Sequence, residues 1–551
     1  MKKLLILVLA FCLVLSTNVM AVDKDPETVI DEYTYGGTIT IGRTQAPDGM
    51  FNPLYSETVY DDDIVSLVFE GLTTVNKKFE PVPALAQKWT VSNDNKTYTF
   101  YLDKRAKFHD GHPVTAEDVA YTYKMFLHPD YSGVRQSDFM HILGAKEFTE
   151  GKADEIKGIE VIDDYTIRIT LDQVYAPFLT TTTGYGIVPK HILSKYEPAA
   201  LDTIPFNMFP VGSGPFKFVE YKDGEYAKLE AFEDYREGRP YLDNVVFRYI
   251  TDKNRLIMLQ RGELDYIEVP GSEFGEVKNY NNYTLHKSIR NGFGFLAFNL
   301  RMEDSIVSDQ DVRQAICYGI NRKGFQKAVM NGLAVNVNSP ISQVSWAYTD
   351  DLNQYNYNPE KAKQILNDDG WKDTDGDGVM EKDGKELAFT ITASSGSQFI
   401  DQLVALAQDN LNEIGFNVVL QRLEFNTMTD KIDNGELECW FMGWSLGADP
   451  DPYAIFHTEG DWNNTGFGSE RTDELIEKAL QTTDRYERRQ YYVEFQKIWN
   501  ESMPYLPMYA NIYVHAVNKR VRGFDPTPGV FNPFHEWDLL KKTWIPKGER
   551  H

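Results

Sequence analysis

Between Thr97 and Leu102 the apolar residues Tyr98, Phe100 and Leu102 alternate with Thr97, Thr99 and Tyr101. A period of two marks a strand with one buried face. The run Asn93-Asp94-Asn95 turns the chain before it, and Asp110-Gly111 turns it afterwards. Beyond that turn the period lengthens. Val119, Tyr123, Phe126 and Leu127 share one helical face, with Thr115 as N-cap and Pro129 as stop. Strands are predicted from Gly37 to Ile41 and around Ile167, Ile169 and Leu171, and an alternating region begins at Gly292 and runs to Leu300. A helix is predicted from Arg255 through LIMLQRGELDYIEV, another with Val312, Ala315, Ile316 and Gly319 inward, and a third capped by Asn358-Pro359 and ended by Gly370. Leu403–Leu411 and Leu475–Leu480 are amphipathic, and Asp484 and Glu487 have capping-box spacing before Tyr492, Phe495, Gln496 and Trp499. No short repeat is present. Strands and helices mixed throughout predict an α/β chain of several layers.

The first 21 residues read differently. Lys2 and Lys3 precede an apolar run from Leu4 to Leu15, and Val19-Met20-Ala21 closes it, which predicts a cleaved secretory signal peptide too short for a comfortable membrane span. Cys12 lies inside the apolar run behind Phe11, a poor context for lipid attachment, so a soluble exported protein is expected. Residues 22–36 are acidic and aperiodic. The chain carries 56 basic and 82 acidic residues, a net −26 that becomes −28 once the two signal lysines are gone. Such a field repels phosphate backbones and anionic lipid, which excludes nucleic acid as an expected partner. Cys317 and Cys439 remain in the mature chain; an exported protein can pair them, whereas their apolar neighbours favour two buried thiols.

Five segments, EGLTT, PVPALAQKW, TYTFYL, KFHDGHPVTAEDV and YTY, stand in an order and spacing that closely resembles the N-terminal signature of the extracytoplasmic solute-binding proteins, family 5, which serve peptide-importing ABC transporters. The resemblance runs from about Gly37 to Phe534. It implies a two-lobed periplasmic-binding-protein fold of type II, with hinged lobes, crossing strands and an additional domain. The implied division is 1–21 signal peptide, 22–68 first lobe, 69–202 extra domain, 203–288 first lobe again, 289–507 second lobe and 508–551 a C-terminal return to the first lobe. The Gly/Pro-rich stretch from Phe209 to Glu225 resembles the family's passage back to the first lobe, though its glycines also suit ordinary turns. The implied partners are a peptide ligand and a membrane permease with its ATPase subunits, the binding protein itself being a monomer without catalysis.

Two stretches offer chemistry. In DTDGDGVMEKDGK, Asp373, Asp375 and Asp377 alternate, Gly378 permits a sharp turn and Val379 offers a carbonyl, as in the first half of an EF-hand calcium loop. Glu381 is a further acid, but the twelfth position, where a bidentate Glu closes the chelate, is Gly384. A plain surface turn is therefore expected, with Ca²⁺ as the alternative and no other cofactor. In ECWFMGWSLGADPDPYAIFH, Trp440 and Trp444 can share one strand face, Gly443 leaves the backbone open, and Asp449 and Asp451 follow in a Pro-rich loop. Aromatic and acidic groups together suit a ligand with apolar parts and a positive amine; a core Trp strand with a solvated acidic turn is the plainer reading. This segment is similar to the family's Gly-Trp and acidic-loop region, which implies that Asp449, or else Asp451, holds a peptide α-ammonium. Two departures bear on ligand length and chemistry: Asp449 lies five residues past Trp444, and Phe441 stands where a tripeptide-sized binder carries Arg. An oligosaccharide, a nickel chelate or another small solute on the same fold is the alternative, with Trp440 and Trp444 as stacking platforms for a sugar. A secreted hydrolase using paired acids, His109 or His457 is the alternative of another class. However, no G-x-S-x-G, H-E-x-x-H or complete P-loop is present.

Overall fold

The computed structural model describes residues 35–526 and 536–550. The expected signal peptide and acidic leader thus lie outside the described residues, apart from Tyr35 and Gly36. A long mixed sheet runs through the molecule in the order Asn417–Leu423, Ala388–Ser394, Cys439–Ser445, Gly292–Phe298, Tyr505–Asn518, Tyr266–Val269, Thr38–Arg43, Asn244–Tyr249, Tyr226–Ala231 and Phe216–Lys222. The 14-residue strand Tyr505–Asn518 joins its halves. Tyr505, Leu506, Pro507 and Tyr509 pair with Gly292–Phe298, and Val514–Val517 pair with Tyr266–Val269. On the same stretch Ile512 sits opposite Ile289, and Arg290 N–H donates to the Asn511 carbonyl. The chain therefore crosses between halves twice, side by side.

Core packing follows these halves. One cluster, from Ile39 to Phe247 with Val517–Ile545, takes in both the first half of the sheet and the separate four-stranded sheet Ala86–Val91, Thr97–Leu102, Thr166–Thr170, Ile159–Asp163. A second spans Phe293 to Ala510. A small third cluster of Leu259, Ile267, Val514 and others packs beside the crossings. Among the described residues no helix is long and apolar enough to cross a membrane.

Most of the periodic segments adopt the expected form. Thr97–Leu102 alternates partly buried and buried residues, and Thr115 and Asp118 form a capping box on the helix Ala116–Phe126. Two segments depart. The helix expected through LIMLQRGELDYIEV ends at Arg261, because Gly262 takes a left-handed conformation (φ +70°) and ends it; Tyr266–Val269 is then a strand. Gly292–Phe298 does not alternate: all seven residues are buried, as a central strand covered on both faces requires. Of the glycines in the 209–225 stretch, Gly224 serves a turn at φ +68° and the other two answer to close packing. A Cβ on Gly212 would fall 1.9 Å from the Val68 carbonyl oxygen, and one on Gly214 would fall 2.4 Å from that of Leu67.

Cys317 and Cys439 are both free and fully buried. Burial pushes the Cys317 thiol up to about 12 and raises that of Cys439 as well, so neither offers a thiolate at neutral pH. Thiol labelling of the native protein is expected to be slow, then to yield two thiols per mature chain on unfolding without reductant. Recovery of none would establish a disulfide.

Candidate functional site

A cavity of about 940 Å³ lies between the two halves. One wall comes from the helix Val59–Val68 and the segment Phe69–Val75 that leaves it. This helix starts where Thr58 accepts a hydrogen bond from Asp61 N–H, and Asp61 in turn accepts from Gly49 and Met50 N–H. That anchoring presents Asp62 to the cavity. The Asp62 carboxyl is raised by burial, against the pull of Ser56 and Arg135. Arg135 lies over the Tyr185 ring, 5.7 Å from its centroid, and Tyr185 Oη donates to Asp138 at 2.5 Å. The opposite wall is formed by Ser445–Ala448, with Trp462. Residues Ser288–Asn291, at the first crossing, form the back.

Most charges around the cavity are matched. Asp63 accepts two hydrogen bonds from Arg43, at 2.6 and 2.7 Å. Glu70 pairs with Arg236 at 2.8 Å, and Lys541 approaches Asp538 at 3.3 Å. His515 lines the back and is held neutral, burial driving it down to about 3; it bridges Tyr266 Oη and Ser288 Oγ. Arg290 is different. Its guanidinium donates to Ser445 Oγ at 2.5 Å and has no carboxylate within ion-pair distance among the described residues.

The aromatic and acidic segment sits partly behind this wall. Trp440, a candidate ligand-binding residue, is 3% exposed and belongs to the core of the second half. Gly443 pairs with Gly294 and does not border the cavity. Trp444 is half-buried, stacked on Phe295 (6.1 Å) and on Trp462 (5.8 Å); Trp462 makes the cavity surface and Trp444 supports it. Both Asp449 oxygens are taken by Arg488, which donates to them at 2.7 and 2.8 Å with both side chains buried. Asp449 therefore reaches the structure already neutralised, by the protein's own cation where a ligand ammonium was expected. Asp451 accepts from Tyr453 N–H at 2.9 Å. With Asp449 it borders a separate space of only about 30 Å³.

Asp449 and Asp451 mark a seam between the halves. Thr180, of the first half, donates to Asp449 Oδ2 at 3.4 Å. Arg485 reaches across to the Lys78 carbonyl and to Glu80. Enclosure here, and the neighbouring Asp449 charge, push the Asp451 carboxyl up to about 7.

The acidic turn holds itself together. Asp373 accepts from Gly376 and Gly378 N–H, Asp375 from Asp377 N–H, Asp377 from Val379 N–H, and Glu381 from Thr374 N–H and its hydroxyl. The carboxylates of Asp373, Asp375, Asp377 and Glu381 lie within 4.8 Å of one another, Glu381 entering from the ninth position of the loop. Gly384 is fixed by something else. Asp383 and Gly384 both have positive φ in the tight turn between Glu381–Lys382 and Lys385–Glu386, a conformation that favours Asp-Gly and would strain a closing Glu.

Both histidines of the hydrolase alternative are held by protein groups, His457 Nε2 lying 3.4 Å from Glu477. His109 Nε2 donates to the Gly214 carbonyl and its Nδ1 accepts from Gly212 N–H, and burial lowers the ring to about 4. His457 is 3% exposed and stacked on Tyr453. Sequence reasoning passed over Arg290, Arg135 and Trp462. Arg290 follows a strand with no periodic break, and only the pairing of two distant crossings shows where it points.

A carboxyl raised in the folded state binds a proton that the unfolded chain releases, so native stability falls as pH rises from about 4 to about 7. Asp451→Asn, which keeps an oxygen for Tyr453 N–H, is expected to melt higher than wild type above pH 7, with the gap closing toward pH 4. Melting curves across that range check it; an equal gap at both ends would refute it.

The profile of the bacterial extracellular solute-binding proteins, family 5 (middle region), matches residues 80–466. The oligopeptide-binding protein AppA of Bacillus subtilis is 31% identical over 525 residues, covering 93% of this chain and 92% of its own. Heme-binding protein A of Haemophilus influenzae is 29% identical over 479 residues, covering 82% and 83%. The solved structure of Bacillus subtilis AppA in complex with a nonapeptide superposes with a TM-score of 0.74 at 30% identity, over 93% of this chain and all of that one. With the two-lobed sheet, the paired crossings and the enclosed cavity, these matches show that the chain belongs to the family-5 bacterial extracellular solute-binding proteins.

Proposed function

We propose that this protein is the extracytoplasmic substrate-binding component of an ABC importer, that it takes oligopeptides into the inter-lobe cavity, and that it hands them to a membrane permease driven by separate ATPase subunits. The observation that carries this reading is the cavity itself. At about 940 Å³ it lies near the top of the ~300–1,000 Å³ range of small-molecule sites, and one wall is the segment Ser445–Ala448 that continues the strand Cys439–Ser445, beside which an extended peptide can lie. The nonapeptide held by AppA supports the same ligand class.

The ligand enters an open cleft, and the lobes close about the two crossings, which absorb a hinge rotation. Thr180–Asp449 and Arg485–Lys78 are seam contacts of the closed form. Asp449 and Asp451 thus serve closure, and the anionic end of the ligand is held by Arg290. A guanidinium suits a carboxylate because its fork of donors matches two oxygens. The protein acts as a monomer by stoichiometric binding, without turnover. Its N-terminal segment serves as a cleaved export signal that places it outside the cell membrane. The Asp373–Glu381 turn works without a metal, because its carboxylates already accept backbone N–H groups of the loop. The haem-named relative shows that ligands differ among similar chains, so the released ligand of freshly purified protein, identified by mass spectrometry, tests the class directly; a non-peptide solute there would replace the peptide assignment.

Arg290→Gln is expected to weaken binding of a peptide with a free C-terminal carboxylate by about 2 kcal/mol, the worth of a hydrogen bond to a charged group. A C-terminal amide should lose little on the same substitution. If an acidic side chain, not the terminus, meets Arg290, the loss will follow that side chain instead; an equal loss for charged and neutral peptides would remove Arg290 from the contact. Added Ca²⁺ is expected to leave the melting temperature unchanged, and a large calcium-dependent shift would overturn the metal-free turn.

A further inference from the structure

On the outside of the first lobe, two segments distant in sequence bring two imidazoles onto one carboxylate. The first is the turn Phe108–Gly111, closed by hydrogen bonds from Gly111 N–H to the Phe108 carbonyl and from Phe108 N–H to the His112 carbonyl, with Gly111 at φ +92°. The second is the short helix Lys190–Leu193. Both lean on the start of the helix Ala116–Phe126: that helix follows the turn directly, and its Asp118 accepts from Lys190 N–H at 2.9 Å. His191 Nε2 lies 2.7 Å from Asp110 Oδ2, and His112 Nδ1 lies 3.1 Å from Asp110 Oδ1. The two rings stack at 4.0 Å with a 29° angle, and Phe108 packs against His191 at 5.7 Å.

We propose that Asp110, His112 and His191 form a surface site for a divalent transition metal of the zinc class. One donor atom from each residue lies within 4.8 Å of the others, a spread that small side-chain rotations can bring to a common ion. Two imidazole nitrogens and one carboxylate oxygen are the donor set of borderline-soft cations such as Zn²⁺, Cu²⁺ or Ni²⁺, whereas Ca²⁺ and Mg²⁺ require oxygens throughout. Three protein ligands leave a position for water, and the partial exposure of all three side chains gives access to solvent. The nearby cations do not compete for the carboxylate, because Lys190 pairs with Glu117 and Lys107 with Asp234, each at 2.8 Å. A metal needs the ring nitrogen that faces Asp110 free of its proton on both histidines, so acid competes with binding. None of the three residues borders the ligand cavity, so the metal and the transported solute occupy separate places.

The test is calorimetric titration of the chelator-stripped mature protein with Zn²⁺, together with the visible absorption of Co²⁺ as a signature of coordination. One equivalent should bind to wild type. Affinity should fall in His112→Ala and in His191→Ala by more than the ~10- to 100-fold that loss of an outer-shell partner costs, with the cobalt bands lost in both. Excess Ca²⁺ should not compete, and Asp373→Asn should bind as wild type does. No uptake by wild type at micromolar zinc, or wild-type affinity retained in both histidine variants, would overturn the proposal. Should His191→Ala fold poorly, His112→Ala decides alone, since its side chain is 60% exposed and its removal leaves the turn standing.

Discussion

Both lobes share the strand Tyr505–Asn518, and that sharing constrains everything around it. Its first residues complete the sheet of one lobe and its last residues that of the other. The outgoing chain at Ile289–Arg290 is hydrogen-bonded to it midway. Two neighbouring extended segments resist shear along their length and yield to bending, so the lobes can rotate but cannot drift apart. The cavity wall nearest the hinge is made of these same residues, Ser288 to Asn291. A ligand resting there touches the part of the molecule that bends.

Charge is handled differently at the seam and in the cavity. A buried ion pair gains little over apolar packing, but breaking one strands a charge. Asp449 and Arg488 are such a pair, set where Thr180 meets the second lobe. They give the seam a fixed polar surface that opens without exposing an unmatched charge. Asp451 beside them is enclosed and faces the Asp449 charge, so its carboxyl resists ionisation. Inside the cavity the acids beside Arg43 and Arg236 are neutralised in the same way, while Arg290 donates to a hydroxyl, that of Ser445. In so acidic a chain, an arginine left to a hydroxyl is a stronger marker of a site than any carboxylate.

The sequence by itself determined local structure wherever neighbours along the chain supply the physics. Thr97–Leu102, the capped helix at Thr115, the helix after Asn358 and the buried thiols all follow from periodicity, caps and apolar context. The order of its motifs carried the family and, with it, the fold. Gly262 was equally visible but was outweighed by the apolar run around it, and Gly292–Phe298 looked half-buried because one strand cannot report what covers its second face. The site was decided by tertiary structure. Trp440 and Trp444 share a strand face, yet the core swallows the first and Trp462 shields the second. The partner of Asp449 is not legible beside it, because Arg488 lies 39 residues away. Arg290 becomes a candidate only when Asn511 is laid beside it. A charge's availability is a sum over everything within a few ångströms, and in a cleft built from two crossings those neighbours come from the far ends of the chain.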